Sequence, residues 1–267
     1  MIRFLTVEQH LQVLSRLLNL ARKADAVSIH VAGPEFTSLM VCFLLHDIAA
    51  ADSLVRLRQS FGEKWFPTTV GYLIARSMFE TDVTAHFISQ QPKDRAHQYI
   101  LFERVLKKRE MDTCIELRDS KDSQWREAMR LLWQTRWANE EHQVNDKYEE
   151  VRSRFEARGR NGKMRRFESW SGLRIRDMAV EVDHKEAYDV FYSELSSFAH
   201  GDVRLANRFL SVRPEGVGWS NRAREFDVGN VFRHAASFLT CYLELFGHQF
   251  NLWDAESVER CWDVEKI

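Results

Sequence analysis

Glycine and proline, the residues that most often interrupt helices, are scarce throughout this chain. Only 4 Pro and 11 Gly occur in 267 residues, and 45% of the residues are hydrophobic. Long uninterrupted segments with this much apolar content favour helices over an architecture of strands and turns. The sequence therefore predicts an all-α fold, a helical bundle of about 8–10 helices with little or no β structure.

Apolar residues recur at spacings of three and four along most of the chain, as one face of a helix requires. Thr6 is placed to cap the first helix, which is predicted to end near Lys23. Later helices are predicted to begin near residues 34, 67, 93, 125, 172, 188 and 230. Two stretches are predicted to be irregular: a loop at 157–166, which contains two glycines, and a longer segment at 211–227.

Domain boundaries are not marked by any repeat, low-complexity tract or linker in the sequence. We expect residues 1–60 to form an N-terminal helical layer that packs on a main helical bundle of residues 61–267.

The charge balance gives no global reason to expect nucleic acid or a membrane as a partner, because the net charge is −1 and the pI is near 6.8. The four cysteines are widely spaced, which fits reduced thiols rather than a zinc site or a disulfide framework. The most apolar run, residues 38–55, is broken by His46, Asp47 and Asp52, which indicates a buried helix. We therefore expect a cytoplasmic protein that does not bind membranes.

Arg76 and Glu80 are the first candidate site residues. Their i,i+4 spacing puts both side chains on one helix face, where they can form an ion pair. Their neighbours are mostly apolar, and a partly buried ion pair stabilises less than apolar residues would, which points toward function. The alternative is a structural ion pair that ties two helices together.

His200 lies where an apolar helical pattern stops at Gly201. Ser196 is one helical turn before it, and Arg204 follows four residues later. An imidazole titrates near neutral pH and can act as acid or base, while an adjacent arginine can hold a phosphate. The structural alternative is that His200 only caps the last carbonyl groups of its helix.

A basic stretch at residues 152–166 is the third candidate. It has seven cations in fifteen positions, with phenylalanines nearby, and such a stretch could hold phosphates and stack bases. The alternative is a solvated loop balanced by neighbouring glutamates. The predicted nucleic-acid-binding residues are Arg158, Arg160, Lys163, Arg165 and Arg166.

Metal ligation has the weakest support. The only Glu-x-x-His is Glu181 to His184, whereas a carboxylate-bridged di-iron bundle needs two such motifs. Asp82 and His86 stand at i,i+4, but ten histidines in a chain of this length will produce such a pair by chance. No phosphate-binding loop or zinc spacing is present. We predict no metal site and no cofactor.

Two sequence blocks, taken together, resemble a known family. They are ARSMFETDVTAHFISQQPKDRAHQY at 75–99 and WSGLRIRDMAVEVDHKEAYDVFYSELSSFAHG at 170–201. Their order and spacing resemble the bacterial domain-of-unknown-function family 5677, over about residues 40–250. The resemblance implies an all-α fold and brings no established activity. The resemblance also implies that the polar members of the two blocks line one pocket; they are Arg76, Glu80, Tyr192, Ser196 and His200. These five residues and Arg204 are the predicted catalytic residues.

A looser likeness is to HEPN helical domains, many of which are metal-independent ribonucleases. Those domains use an arginine followed by a histidine four to six residues later, near a helix end. The window before His200 contains no arginine, so Arg76 or Arg204 would have to replace it. The likeness implies a helical shape and a broad class of bacterial defence or stress proteins.

Two functions from different classes remain open, and the sequence does not decide whether the chain is an enzyme. The first is RNA binding with metal-independent endoribonuclease activity, in which His200 moves a proton and an arginine stabilises the phosphorane charge. The second is a non-catalytic helical module that binds a partner protein or a small ligand. Its eight tryptophans would supply the core and an interface for a homo-oligomer.

Overall fold

The computed structural model describes residues 5–26, 33–121, 123–158, 164–199, 210–213, 216–219 and 224–264. These residues are predominantly helical, which confirms the predicted all-α class. The β structure among them consists of two short antiparallel hairpins, in agreement with the prediction of little or none.

The helices of the first half are long. They are α1 (Val7–Arg22), α2 (Pro34–Phe61), α3 (Thr68–Gln90) and α4 (Pro92–Asp119), with a 3₁₀ turn after α1 at Lys23–Ala26. The middle of the chain contains α5 (Arg126–Leu132), a π-helical turn (Trp133–Trp137), α6 (Glu141–Glu149), α7 (Arg152–Phe155) and α8 (Ile175–Glu181). The last part contains α9 (Lys185–Ala187), a π-helical turn (Tyr188–Tyr192), α10 (Ser193–Ala199), α11 (Glu225–Phe250), α12 (Ala255–Glu259) and a 3₁₀ turn (Arg260–Trp262).

Both hairpins lie where the sequence predicts irregular structure. Strand β1 (Glu156–Arg158) pairs with β2 (Met164–Arg166), and β3 (Leu210–Arg213) pairs with β4 (Gly216–Trp219). Each strand has only three or four residues, which is too short for alternation of apolar and polar residues to be recognised. The predictions of a loop at 157–166 and of irregular structure through 211–219 are therefore wrong for the strand residues.

The described chain divides into two compact units. Unit 1 contains residues from 1–92 and 175–267, and unit 2 contains residues from 93–174. These boundaries differ from the predicted layer at 1–60 and main bundle at 61–267, and that division stays a prediction.

Thr6 caps α1, as the sequence predicts. Its hydroxyl oxygen accepts a hydrogen bond from the Gln9 backbone N–H at 3.2 Å, and the Gln9 side-chain oxygen accepts one from the Thr6 N–H at 2.9 Å. This reciprocal pair satisfies two backbone donors that the first turn leaves without helical partners.

Helix α11 is at the centre of unit 1 and packs against α1, α2 and α3. Gly71 of α3 permits the close approach, because a Cβ atom there would lie 2.9 Å from Val231 Cγ1 of α11. The Tyr242 hydroxyl of α11 donates a buried hydrogen bond to the Met40 carbonyl of α2. Helix α11 is thereby fixed against the N-terminal part of the chain.

Unit 2 has a small core of its own. Met111 and Cys114 of α4 pack against Trp137 and Val144, and all four are buried. The helix predicted to begin near residue 125 is interrupted in the structure, since a π-helical turn and a turn at 138–140 separate α5 from α6. The sequence at 138–143, ANEEHQ, is entirely polar apart from Ala138, as is typical of an exposed turn.

Among the described residues, one helix, α2, has the length and the apolar composition that crossing a membrane requires. The share of its most apolar window that is buried inside the protein is 39%.

Candidate functional site

Arg76, Glu80 and Tyr192 form a closed hydrogen-bonded triangle in unit 1. The Arg76 Nε–H donates to Glu80 Oε1 at 2.9 Å, and Arg76 Nη2 donates to the Tyr192 hydroxyl at 2.9 Å. The Tyr192 hydroxyl in turn donates to Glu80 Oε1 at 2.8 Å. The i,i+4 ion pair predicted from the sequence is therefore present within α3. The Tyr192 hydroxyl joins this pair to the π-helical turn that precedes α10.

Burial and charge keep Tyr192 and Arg76 each in one protonation state near neutral pH. Burial, with the charge and hydrogen bond of Glu80 in addition, raises the pKa of Tyr192 to about 12. Burial alone would lower the pKa of Arg76, but the hydrogen bond and charge of Glu80 raise it. Tyr192 therefore remains a hydrogen-bond donor, and Arg76 remains a cation.

Tyr192 is the last residue of a π-helical turn, and the surrounding rings hold it in place. Its ring stacks on Tyr188 with a centroid distance of 4.6 Å and packs against Phe79 at 5.6 Å. The Arg76 guanidinium also lies over the Tyr192 ring, 5.1 Å from its centroid. Single π-helical turns inside longer helices are frequent at functional sites, since the extra residue shifts the side chains that follow.

A second set of polar contacts lies next to the triangle. The Tyr72 hydroxyl of α3 donates to Glu194 Oε1 of α10 at 3.1 Å, and Glu194 Oε2 lies 3.8 Å from His234 Nε2 of α11. The last distance is too long for a hydrogen bond. Burial lowers the pKa of His234 despite the neighbouring carboxylate, so its imidazole is neutral at neutral pH. Tyr72 and Arg76 are one turn apart on α3, which puts both sets of contacts along the same helix interface.

His234 also lines a cavity of unit 1 whose volume is about 770 Å³. Aromatic rings of Phe191 and Trp262 and the cations of Arg233 and Arg260 contribute to its wall. The His234 side chain is 1% exposed, and neither its Nε2 nor the Arg233 Nε has a hydrogen-bond partner within the described chain. The volume is within the usual range for pockets that bind small molecules.

The other predicted catalytic residues are only partly described. Ser196 is half-buried on α10, about one turn after Tyr192, and its hydroxyl makes no hydrogen bond to the triangle. His200 and Arg204 lie outside the described residues, so their roles stay predictions. The structure therefore brings together three of the six predicted residues: Arg76, Glu80 and Tyr192.

The predicted nucleic-acid-binding residues belong to the β1–β2 hairpin of unit 2. Arg165 is exposed on β2, whereas Arg166 donates to Asp112 Oδ2 at 2.8 Å and lies over the Tyr148 ring. Arg158 is in β1 opposite Met164. Arg160 and Lys163 lie outside the described residues. Arg166 is thus paired with a carboxylate of its own unit. Such pairing is what the alternative interpretation, a surface loop whose charges are balanced, predicts.

Sequence reasoning missed His234 and Arg233, because nothing in the segment NVFRHAASF separates them from ordinary residues of an amphipathic helix. It also gave no reason to join His184 to Asp82 and His86, although the structure brings these three side chains into contact. Both groupings depend on which helices pack together, and no local spacing carries that information.

Comparison with known proteins agrees with the two sequence blocks. No curated protein and no solved structure matches the chain. The family model described as Family of unknown function (DUF5677) matches residues 51–217, which include α3, the Tyr188–Tyr192 turn and α10. The match extends over more than half of the chain, and the protein therefore belongs to the family of unknown function DUF5677.

Proposed function

We propose that unit 1 binds a nucleotide in the cavity beside His234, which makes it a small-ligand module of the second class predicted from the sequence. The observation that carries this proposal is the pair of buried nitrogens, His234 Nε2 and Arg233 Nε, that lack hydrogen-bond partners within the described chain. A buried polar atom without a partner costs about 1–3 kcal/mol, and a ligand that bonds to it recovers that free energy.

The cavity wall matches the chemistry of a nucleotide. Phe191 and Trp262 offer aromatic faces for a base, and Arg233 and Arg260 offer cations for a phosphate. The carboxylates of Glu256, Glu259 and Asp263 can accept hydrogen bonds from ribose hydroxyls. A free nucleotide and a nucleotide within single-stranded RNA share this chemistry, so the ligand can be either of them.

Titration calorimetry with the full chain tests the proposal. AMP, GMP, CMP, UMP and a short single-stranded RNA are titrated into wild type, Arg233→Met and Arg130→Met. Arg130 is the matched control because it is an exposed arginine of unit 2, paired on the surface with Glu127. A lost charge-assisted hydrogen bond is worth about 1.5–3 kcal/mol, so Arg233→Met should weaken binding by about 10- to 150-fold.

The outcomes separate the two sources of the ligand. Saturable binding of a mononucleotide that Arg233→Met weakens supports a free nucleotide. Binding of the RNA alone, with the same loss, supports a segment of RNA. No saturable binding of any of the five ligands, or equal binding by both variants, contradicts the proposal.

RNA cleavage is a second candidate, favoured by the exposed position of Arg165 on the β1–β2 hairpin, among the cations of residues 152–166. In this proposal His200 moves the proton, and Arg76 or Arg204 stabilises the phosphorane charge. The test is incubation with end-labelled RNA in excess EDTA, with wild type beside His200→Ala and equal melting temperatures confirmed first. Cleavage by wild type alone supports it, and no cleavage by either protein contradicts it.

The remaining expectations are a protein partner, self-association, a cytoplasmic location and the absence of membrane binding. Exposed apolar side chains of unit 2 support a protein partner and self-association, because Trp125 is 57% exposed and Leu131 is 61% exposed. Light scattering should show a higher mass for wild type than for Leu131→Asp if this surface self-associates. Equal monomer masses would contradict that expectation.

A further inference from the structure

Asp82, His86 and His184 form a compact cluster in unit 1, separate from the residues that line the cavity. Asp82 and His86 are one turn apart on α3, and His184 lies in the turn before α9. Asp82 Oδ1 is 3.1 Å from His86 Nδ1, and Asp82 Oδ2 is 3.3 Å from His184 Nε2. The two imidazole rings are 4.6 Å apart between centroids, so all three side chains converge on one point.

The turn around His184 sets the orientation and the tautomer of its ring. The His184 backbone N–H donates to the Ala179 carbonyl at 2.7 Å, and its Nδ1 lies 2.9 Å from the Val182 carbonyl. Asp183 holds a left-handed backbone with φ of 62°, a conformation that costs a residue with a side chain about 1 kcal/mol. Because a carbonyl can only accept, Nδ1 carries a proton, and Nε2 is the ring nitrogen that faces Asp82.

A buried carboxylate that faces two imidazoles requires a positive charge beside it, which a ring proton or a bound cation can supply. Asp82 is 1% exposed, and both its Oδ1 and the Nε2 of His184 lack hydrogen-bond partners of good geometry within the described chain. The charge of Asp82 reaches further, since burial first, and Asp82 in addition, raises the pKa of Asp47. Two buried atoms of the cluster are therefore unsatisfied, and a bound cation would satisfy both of them.

We propose that Asp82, His86 and His184 bind a divalent transition-metal ion of the Zn²⁺ class. Two imidazoles and one carboxylate are a ligand set of zinc enzymes and of non-haem iron sites, whereas Mg²⁺ and Ca²⁺ prefer oxygen ligands. One ligand atom from each residue lies within 4.8 Å of the others. Metal–ligand distances of about 2.0–2.2 Å require only a small contraction of this arrangement.

The surroundings of the cluster resemble those of metal-binding histidines. A ligating histidine almost always donates its other ring N–H to a carbonyl or carboxylate, as His184 does to Val182. Three protein ligands leave a coordination position open for water or a small ligand, which is the arrangement of catalytic rather than structural zinc sites. None of this depends on the proposed nucleotide cavity, so either proposal can fail alone.

The experiment is a titration of chelator-stripped full-length protein with Co²⁺, followed by its visible absorption, and with Zn²⁺ by calorimetry. Wild type, His184→Ala, His86→Gln and His142→Ala are compared. His142 is the matched control, because it also forms an i,i+4 pair with an aspartate, Asp146, at 3.3 Å but is 92% exposed. Wild type and His142→Ala should each bind one equivalent, and Zn²⁺ should raise the melting temperature of both.

Loss of a ligand should weaken metal binding by at least about 100-fold in His184→Ala and in His86→Gln. If circular dichroism shows that one of these variants does not fold, the other variant alone tests the proposal. Absence of Co²⁺ uptake by wild type at micromolar protein concentration overturns the proposal. Unchanged binding in a folded ligand variant, or a loss in His142→Ala, overturns it as well.

Discussion

Asp47 provides a quantitative test of how unit 1 is packed. Its carboxyl group on α2 is fully buried, with Oδ1 3.0 Å from His46 Nδ1 and Oδ2 without a hydrogen-bond partner within the described chain. Burial is the main cause that raises the pKa of this carboxyl from 3.8 to about 7, and the hydrogen bond to His46 only partly offsets it. The folded state therefore holds this proton over a pH range in which the unfolded chain has lost it.

The sign of the effect follows from proton binding. Between the two pKa values the folded state binds more protons than the unfolded state, so the free energy of unfolding falls as the pH rises. The carboxyl should therefore cost unit 1 about 2–3 kcal/mol of stability between pH 5 and pH 8. Asp47→Asn removes this titration, and its free energy of unfolding relative to wild type should rise by that amount over the same range.

The assay is denaturant unfolding followed by circular dichroism at several pH values, in EDTA so that no metal alters the charge of the region. Asp146→Asn is the matched control, because this carboxylate also lies beside a histidine but is 62% exposed. Because this substitution is on the surface, the control should change the free energy of unfolding by no more than about 0.5 kcal/mol. Parallel pH profiles for wild type and Asp47→Asn would show that the carboxyl is solvated and that the reasoning is wrong.

Three further substitutions test other parts of the structure. Tyr192→Phe should remove one late step, near pH 12, from an ultraviolet titration of the tyrosines; loss of an earlier step instead would contradict the buried triangle. Gly247→Ala should lower the free energy of unfolding by about 1–3 kcal/mol in denaturant, because the new Cβ would press on Trp253. The control is Gly229→Ala, where a Cβ has room, and equal effects of the two substitutions would contradict this packing. Trp137→Ala should cost unit 2 about 3–5 kcal/mol, measured by hydrogen exchange, and a loss below 1 kcal/mol would mean that its small core is loose.

Local spacing accounts for what could be predicted from the sequence. The capped start of α1, the long helices and the Arg76–Glu80 ion pair all depend on residues within one or two turns of each other. Tyr192 is different, since its grouping with Arg76 came from the order of two sequence blocks rather than from spacing. The hydrogen bonds of the triangle agree with that grouping.

Contacts between distant segments account for what was missed. His234 lines the cavity because α11 meets the Tyr188–Tyr192 turn and α12 there. His184 reaches Asp82 only because the turn after α8 returns to α3. The β1–β2 hairpin is formed from three-residue strands, so its sequence resembles a loop. In each case the deciding interaction is tertiary, and the local pattern fits more than one outcome.

Photocrosslinking with 8-azido-AMP, mapped by mass spectrometry of the digested full chain, tests the central claim most directly. The nucleotide-cavity proposal predicts labels on peptides that contain Phe191 or Trp262, with excess AMP suppressing the label and Arg233→Met reducing it. Labels confined to residues 152–166 would contradict the cavity as the nucleotide site and favour the basic hairpin of unit 2 instead.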